Sequence, residues 1–439
     1  MRMKVLVVGS GGRENAIVDA LSRSAYKPKI FAAMGNLNPG IRRKAADHLF
    51  TKEIDVAAIV QYAEEKGVDF AVVGPEAPLA AGLVDALYDK GIPAASPLRD
   101  AARLEFDKAW TRTFMARNGI KGVPRFKAYD DAGDAYRYLE EFPDSVIKPA
   151  GLTGGKGVKV MGEHLKTLQE GKAYIEEVLK SGKVVIEDRL EGEEVTIQAF
   201  VDGKNVAPMP TVQDHKRAYE DDKGPNTGGM GSYTDHTELL PFMFMEDYDE
   251  GVEIMKATIE ALKKEMGIVY KGALYGQFMI TADGMKVIEY NARFGDPEAM
   301  NVLTLLKTDF VDICQAMIDG SLDKMNIEFE RSATVCKYVV PKGYPDNPQK
   351  DSPLTVTEKP EYKVYYASVN ERDGNVYTTS SRSLAVVGVA DTIDEAEMLA
   401  EMGLSNVKGE FHCRHDIGKE TLIRKRIEHM DAIRGRRQP

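Results

Sequence analysis

The sequence predicts a mixed α/β and α+β chain in three parts: a doubly wound parallel sheet over residues 1–103, a second α/β unit over 104–325, and a mixed α/β cap over 326–439. Three observations predict this. Apolar runs of the kind buried on both faces alternate with helix-periodic segments through the first hundred residues, the βαβ rhythm of a parallel sheet. From residue 124 the pattern changes to short strands punctuated by glycine turns. Beyond about 325, closely spaced strand patterns suit antiparallel pairing. A chain of 439 residues has room for two to four domains.

In the first part, residues 4–9 form a continuous apolar strand and Ala16, Ile17, Ala20 and Leu21 follow at helical spacing. Strands are expected at 29–33, 70–74 and 92–94, and helices around 56–63 and 79–88. Ligands of such sheets bind beyond the carboxyl ends of the strands. Those ends carry Gly9-Ser10-Gly11-Gly12-Arg13-Glu14, Gly35-Asn36 and Gly74-Pro75-Glu76-Ala77-Pro78. A dinucleotide motif would need a third glycine where Glu14 stands and an acid after the second strand, which ends Ala32-Ala33-Met34, so nicotinamide binding is not expected. Glycines before a helix N-terminus, with Arg13, do suit a phosphate.

A helix over 100–120 carries Lys108. A strand then ends at Lys148-Pro149-Ala150-Gly151 and runs into Leu152-Thr153-Gly154-Gly155-Lys156-Gly157-Val158. Backbone N–H groups and an ammonium on so glycine-rich a loop can wrap phosphates. It is not a Walker A loop, because Gly157 follows Lys156. After a helix over 167–180, the strand at 184–190 leads into Glu191-Gly192-Glu193-Glu194, an edge able to hold a purine by backbone groups and a ribose by an acid. Two polar stretches without periodicity, 211–217 and 224–231, read as loops that shape a substrate site.

The chemistry concentrates in Val287-Ile288-Glu289-Tyr290-Asn291-Ala292-Arg293-Phe294-Gly295-Asp296-Pro297-Glu298, a strand that ends in a loop feeding a helix. Strand alternation puts Glu289 and Asn291 on one face, Ile288 and Tyr290 on the other. A carboxylate and an amide oxygen so placed suit a hard cation, and Arg293 offers a fork for a carboxylate or phosphate. Asp296 is expected as N-cap, with Pro297 first in the helix. A three-residue turn at Ala282-Asp283-Gly284 would bring Gln277 opposite Glu289 and complete an oxygen cluster of Gln277, Glu289 and Asn291, whereas a two-residue turn would break it.

Composition narrows the function. Lys and Arg number 58 against 69 Asp and Glu, a net charge of −11, which argues against a nucleic-acid footprint. The basic stretch 424–437 reads as a solvated helix. No apolar run approaches a membrane span, and no signal peptide is expected at the start. Three scattered cysteines, Cys314, Cys336 and Cys413, suit a reducing cytoplasm. His412-Cys413-Arg414-His415 lacks the spacing and the partner pair of a zinc site.

Taken in order, Gly9–Glu14, Val73-Gly74-Pro75-Glu76-Ala77-Pro78, the 148–157 loop, Gln213-Asp214-His215-Lys216-Arg217, Gly224-Pro225-Asn226-Thr227-Gly228-Gly229-Met230-Gly231 and Asn291–Glu298 resemble the phosphoribosylamine–glycine ligase (glycinamide ribonucleotide synthetase) family of the ATP-grasp superfamily, over nearly the whole chain. The chain departs from that pattern at Asn15, Pro149-Ala150, Gly154 and Gln277. The resemblance implies a pre-ATP-grasp N-terminal domain, a central ATP-grasp fold with a mobile lid subdomain at about 124–190, and the C-terminal cap. It implies ligation of glycine to 5-phosphoribosylamine through glycyl phosphate, with ATP and Mg²⁺ or Mn²⁺, two ions, in a cytoplasmic monomer of purine biosynthesis without nucleic-acid or membrane partners. The implied metal ligands are Gln277, Glu289 and Asn291. Lys108, Lys148, Gly154, Gly155, Lys156 and Gly157 would face the phosphates, Glu187 and Leu190 backbone groups the adenine, and Glu193 or Glu194 the ribose. Gly11, Gly12 and Asn36 would hold the phosphoribosylamine phosphate and Glu76 its ribose. Asp214 would take the glycine ammonium and Arg293 its carboxylate or acyl phosphate, with Lys216, Asn226, Thr227, Gly228, Gly229, Gly295 and Asp296 around them. Arg293, Lys156 and Asp214 are the implied catalytic groups.

Overall fold

Strand Lys4–Val8 runs through the first sheet of the computed structural model, which describes residues 2–151 and 157–435. Val5 to Val8 are fully buried, as an unbroken apolar run requires when helices cover both faces. Four parallel strands lie in the order Asp47–Phe50, Lys29–Met34, Lys4–Val8, Phe70–Val73. The polar edge strand Asp47–Phe50 carries no apolar run and was not anticipated. Residues 92–94 contribute only a single bridge, Ala94 to Ala71. The helix expected over 79–88 is two short ones, Glu76–Ala80 and Leu83–Asp89, parted at Gly82, whose φ of +82° suits glycine. The helix expected over 100–120 likewise breaks at Asp107, which caps Lys108–Arg117 by accepting from the Trp110 N–H.

The central sheet is antiparallel, in the order Val206–Pro208, Glu193–Asp202, Lys271–Thr281, Gly284–Asn291. Helix Met245–Met266 packs on one face, where the Tyr290 hydroxyl meets Thr258 at 2.9 Å. On the other face, Phe200 packs against Phe310 of helix Phe310–Asp319 at one end, and the rest borders a cavity. Beside it, strands Phe126–Tyr129, Val184–Asp188, Ser145–Pro149 and Lys159–Val160 form a smaller sheet under helices Ala132–Glu141 and Leu168–Leu179. This unit has its own core, including Tyr138, Leu139, Ile147, Ile175, Val178 and Ile186. Residues 152–156 of the glycine-rich loop, with Gly154, Gly155 and Lys156, lie outside the described residues.

Strand Ala333–Pro341, buried throughout, joins Gly231–Thr234 on one side to Leu384–Ala390 on the other, so the last large sheet draws strands from both sides of residue 326. Helix Ile393–Ser405 lies against it where a side chain on Gly388 would stand 1.9 Å from the Ala396 carbonyl oxygen. The stretches expected as loops at 211–217 and 224–231 contain strands of two to four residues, Gln213–Asp214, Arg217–Tyr219, Lys223–Asn226 and the start of Gly231–Thr234. Strands so short carry too few alternations to register as a pattern. All three cysteines are free and buried. No helix among the described residues is long and apolar enough to cross a membrane.

Candidate active site

The hairpin that carries Glu289 turns on two residues, with Thr281 opposite Gly284, not on the expected three. Counting back from that turn alone would put Ile288 opposite Gln277. A bulge intervenes: Phe278 pairs with Val287, and Gln277 pairs with Glu289. The pairing expected from the sequence is therefore present, by a different route. Arg112 accommodates the bulge, its Nη2 donating to the Val287 carbonyl at 2.9 Å and the Ile288 carbonyl at 2.7 Å. Ile288, expected on the far face, lines the same cavity as Glu289.

Directly opposed residues share a face. Gln198, Tyr275 and Asn291 form one rank across three strands, Thr196, Gln277 and Glu289 the next, and Glu194 with Met279 the third. A cavity of about 630 Å³ lies over this face, reached also by Lys148, Asp214, His215, Lys216 and Arg293. Gln277 Nε2 donates to Glu194, and Gln277 Oε1 is buried without a partner among the described residues. Burial pushes the Glu289 carboxyl up, but Lys216, Lys108, Lys148 and Arg293 together bring it below its ordinary range. An anionic carboxylate beside an unclaimed amide oxygen and Asn291 fits a hard divalent cation.

Around this cluster the cations are held by acids. Lys148 Nζ lies 2.7 Å from Glu187, which also takes Arg112 at 2.7 Å. Burial raises the Glu187 carboxyl, yet Arg112 and Lys148 push it down to about 2. The Glu187 side chain is thus engaged, and its strand is paired on both sides, Glu187 lying opposite Phe126 and Val146. The Leu190 side chain faces a separate cavity of about 380 Å³. Lys108 begins its helix and donates from Nζ to the Gly151 carbonyl at 3.3 Å, next to Glu289. Gly157 O accepts from the Tyr174 hydroxyl at 2.7 Å. Of the two acids that open the strand Glu193–Asp202, both of which reach the cavity, Glu193 bonds His429 at 2.6 Å and Arg426 at 3.3 Å, whereas Glu194 shares the face of Gln277 and Glu289 and lies 3.5 Å from Lys216 Nζ. Lys216 is raised, because Glu194, Glu289, Asp214 and Glu298 outweigh the desolvation that lowers it.

Asp214 Oδ1 is buried without a partner among the described residues, and desolvation, then the nearby Glu298, push this carboxyl well up. Glu298 accepts from the Tyr275 hydroxyl at 2.9 Å and Thr196 at 3.2 Å. Arg293 sits between Glu105 at 2.9 Å and Glu76 at 3.5 Å. Glu105 also accepts from the Ala292 N–H at 2.7 Å, and burial, opposed by Arg293, leaves its carboxyl at about 7. Gly295 donates its N–H to Gln198 at 2.8 Å.

Asp296 is not an N-cap and Pro297 is not the first helical residue: the helix is Glu298–Leu305, and Pro297 precedes it. The Asp296 carboxylate instead takes the Tyr338 hydroxyl at 2.5 Å, the Arg13 N–H at 3.3 Å and Arg382 at 3.2 Å. Three donors from two other parts of the chain outcompete the local amides. At the first helix, the Gly11 N–H is taken by Glu14 at 2.6 Å, and the Tyr338 hydroxyl comes so near Gly12 that a side chain there would meet it at 2.4 Å. Asn36 donates to Ser368 at 3.3 Å. Arg13 and Glu76 reach the cavity.

Asn226, Thr227 and Gly228 line the cavity. Thr227 donates from N and Oγ1 to the Lys216 carbonyl, both at 2.8 Å, and the Gly229 N–H donates to Thr227 Oγ1 at 3.0 Å. Arg382 ties this loop to Asp296, its Nη1 donating to the carbonyls of Gly228, Gly229 and Asp296 at 2.7, 3.0 and 2.9 Å. Sequence reasoning missed Arg382, Arg112 and Glu105. None stands in a glycine-rich or acid-rich motif, and a lone charge carries no signal until the fold supplies its partner.

The basic C-terminal helix is not simply solvated. Arg426 bonds Glu193 and Asp222, and Arg434 bonds Asp247 at 2.7 Å and the Phe242 carbonyl at 2.9 Å. In the 412–415 stretch, His412 faces the Ala218 carbonyl at 2.8 Å, and fully buried Arg414 pairs with Asp416 at 2.6 Å and Asp222 at 2.9 Å. Among the described residues no three His, Cys, Asp or Glu are grouped to hold a metal.

Two α+β units beside a face lined by acids, amides and lysines define an ATP-grasp protein. Models of phosphoribosylglycinamide synthetase match in three parts: the N domain over residues 3–105, the ATP-grasp (A) domain over 106–299 and the C domain over 334–420. The chain belongs to the phosphoribosylglycinamide synthetase family. A phosphoribosylamine–glycine ligase of Methanocella arvoryzae is 75% identical over 433 residues, covering 99% of this chain and 100% of the relative. One from Methanosarcina barkeri is 53% identical over 433 residues, with 99% and 100% covered. The crystal structure of the phosphoribosylamine–glycine ligase of Thermotoga maritima superposes with a TM-score of 0.81 at 30% identity, over 94% of this chain and 100% of that one. N5-carboxyaminoimidazole ribonucleotide synthetase from Thermotoga maritima shares the fold, with a TM-score of 0.64 at 15% identity over 93% and 100%.

Proposed function

We propose that this chain ligates glycine to 5-phosphoribosylamine at the expense of ATP, giving glycinamide ribonucleotide, ADP and phosphate. A carboxylate is a poor acyl donor because oxide is a poor leaving group. The glycine carboxylate oxygen attacks the γ-phosphorus, ADP departs, and the sugar's amine then attacks the acyl carbon, expelling phosphate and losing a proton. Gln277, Glu289 and Asn291 would hold Mg²⁺ or Mn²⁺, as two ions, which supply charge neutralisation at the phosphates.

The protein's own groups position the rest. Lys108, Lys148 and Lys156 neutralise phosphate charge, Gly154, Gly155 and Gly157 offer it backbone N–H groups, and backbone groups of Glu187 and Leu190 receive the adenine. Glu194 takes the ribose, since it shares the face of Gln277 and Glu289 while Glu193, also at the cavity, is engaged by His429 and Arg426. Asp214 receives the glycine ammonium and Arg293 its carboxylate, with Glu105 behind Arg293. The phosphoribosylamine lies toward Gly11, Gly12, Asn36 and Glu76; an incoming phosphate must there displace the Glu14 carboxylate from the Gly11 N–H. Lys216, Asn226, Thr227, Gly228, Gly229, Gly295 and Asp296 shape the pocket between. The functional units are 1–103, 104–325 with the lid at about 124–190, and 326–439, in a cytoplasmic monomer.

What supports this reading most is the gathering of Gln277, Glu289, Asn291, Asp214, Lys216 and Arg293 about one cavity. Glycine labelled with ¹⁸O in its carboxylate tests it. One labelled oxygen should appear in the phosphate released. Unlabelled phosphate alongside normal product would rule out the acyl phosphate.

A further inference from the structure

His215 is a buried imidazole that nothing above employs. Its side chain is 1% exposed, and it lies on the wall of the 630 Å³ cavity. The backbone fixes it on both sides: its N–H donates to the Gly231 carbonyl at 2.9 Å, and its carbonyl accepts from the Met230 N–H at 2.7 Å. Nδ1 lies 3.4 Å from Asp222 Oδ1, while Nε2 is buried with no partner among the described residues.

The tautomer follows from Asp222. Burial raises that carboxyl, but His215, Arg426 and Arg414 hold it well below the ordinary range, so it is an anion and accepts the Nδ1 proton. Burial also lowers the imidazole's own affinity for a second proton. Nε2 is then a lone-pair acceptor. Ionised phosphates and carboxylates offer it nothing; it needs a ligand hydroxyl or amine. The glycine ammonium is better met by the Asp214 carboxylate. At the His215 end of the cavity stand Arg426 of the C-terminal helix and Glu193, which follows the strand Val184–Asp188 assigned above to the base, and Gln213 Nε2 donates to the Glu194 carbonyl at 3.2 Å.

We infer that His215 Nε2 accepts a hydrogen bond from a ribose hydroxyl of the bound nucleoside triphosphate, with Asp222 as the positioning residue behind it. The inference rests on the nucleotide reading given above. Arg414 and Arg426, both from the C-terminal part, hold Asp222 in place, Arg414 at 2.9 Å. The nucleotide site is thereby completed from outside the central sheet.

Glycine-dependent ADP or deoxy-ADP release, measured with ATP, 2′-deoxyATP and 3′-deoxyATP, tests this. The parent enzyme should prefer ATP over one of the deoxy analogues in kcat/KM by roughly tenfold, the factor that about 1.4 kcal/mol gives. His215→Ala should raise the KM for ATP and bring that ratio close to one, while the KM for glycine stays put. His215→Gln, which offers a carbonyl oxygen, should recover part of the preference. Should His215→Ala not fold, Asp222→Asn carries the test, since it keeps the imidazole but no longer fixes its tautomer; it too should shrink the ratio. An unchanged ratio in the variants, or a parent enzyme indifferent to both hydroxyls, overturns the inference and leaves the ATP-dependent reading intact. No glycine-dependent turnover with any nucleotide would instead strike at that reading.

Discussion

Glu187 and Glu105 are both buried glutamates beside an arginine, and they titrate in opposite directions. Glu187 has two cations, Arg112 and Lys148, and falls to about 2; Glu105 shares Arg293 with Glu76 and rises to about 7. For Glu187 the folded value lies below the unfolded one, so its contribution is present above pH 4.5 and lost as pH falls through about 2, roughly 3 kcal/mol in all. For Glu105 the sign reverses: stability present below pH 4.5 is lost as pH rises through about 7, by a similar amount of about 3 kcal/mol. Denaturant melts of Glu105→Gln and its parent at pH 5 and pH 8 should therefore show the variant gaining relative stability at the higher pH. A constant difference would mean Glu105 ionises normally. At the proposed metal cluster, Glu289→Gln should leave the melting temperature within a few degrees of the parent and abolish metal-dependent ADP release; near-normal activity would sink the assignment.

At the scale of elements, the hairpin around Glu289 shows how much was legible. Strand alternation placed Glu289 and Asn291 together, and that needs only two residues of spacing. The turn and the bulge were not legible. Their outcome depends on Arg112, 175 residues upstream of Val287, whose guanidinium satisfies the two bulged carbonyls. Asp296 likewise carried a plausible cap signal, overridden by Tyr338 and Arg382 from beyond residue 326. The long apolar strands were read correctly because burial on both faces leaves an unbroken run, while strands of two to four residues around 213–226 left no pattern. Close packing of elements gives a separate prediction. Gly388→Ala would drive a methyl into the Ala396 carbonyl, so the helix Ile393–Ser405 must shift from its sheet, at a cost of about 1–3 kcal/mol. Thermal unfolding would register that; an unchanged midpoint would show that the helix moves freely.

Across the whole molecule, the C-terminal part does more than cap. Its Arg382 holds the Gly228–Gly229 loop and Asp296, and Asp296 in turn holds Arg13 of the first helix, so three stretches of chain meet at one carboxylate. Arg382→Met should leave each core intact but loosen that junction. We expect a fall of tenfold or more in kcat/KM for phosphoribosylamine, about 1.4 kcal/mol, with the KM for ATP little changed. Equal losses for both substrates would point to general destabilisation. Motifs disclosed the family because they lie in sequence-local glycine and acid clusters. The junction was hidden because its members are separated by up to several hundred residues.

The central claim, that glycine is the acid this site activates, is tested most directly by ADP release with phosphoribosylamine generated in place. The account predicts turnover only when glycine is present, with glycinamide ribonucleotide accumulating in step with ADP. ADP release that follows bicarbonate and ignores glycine would contradict it.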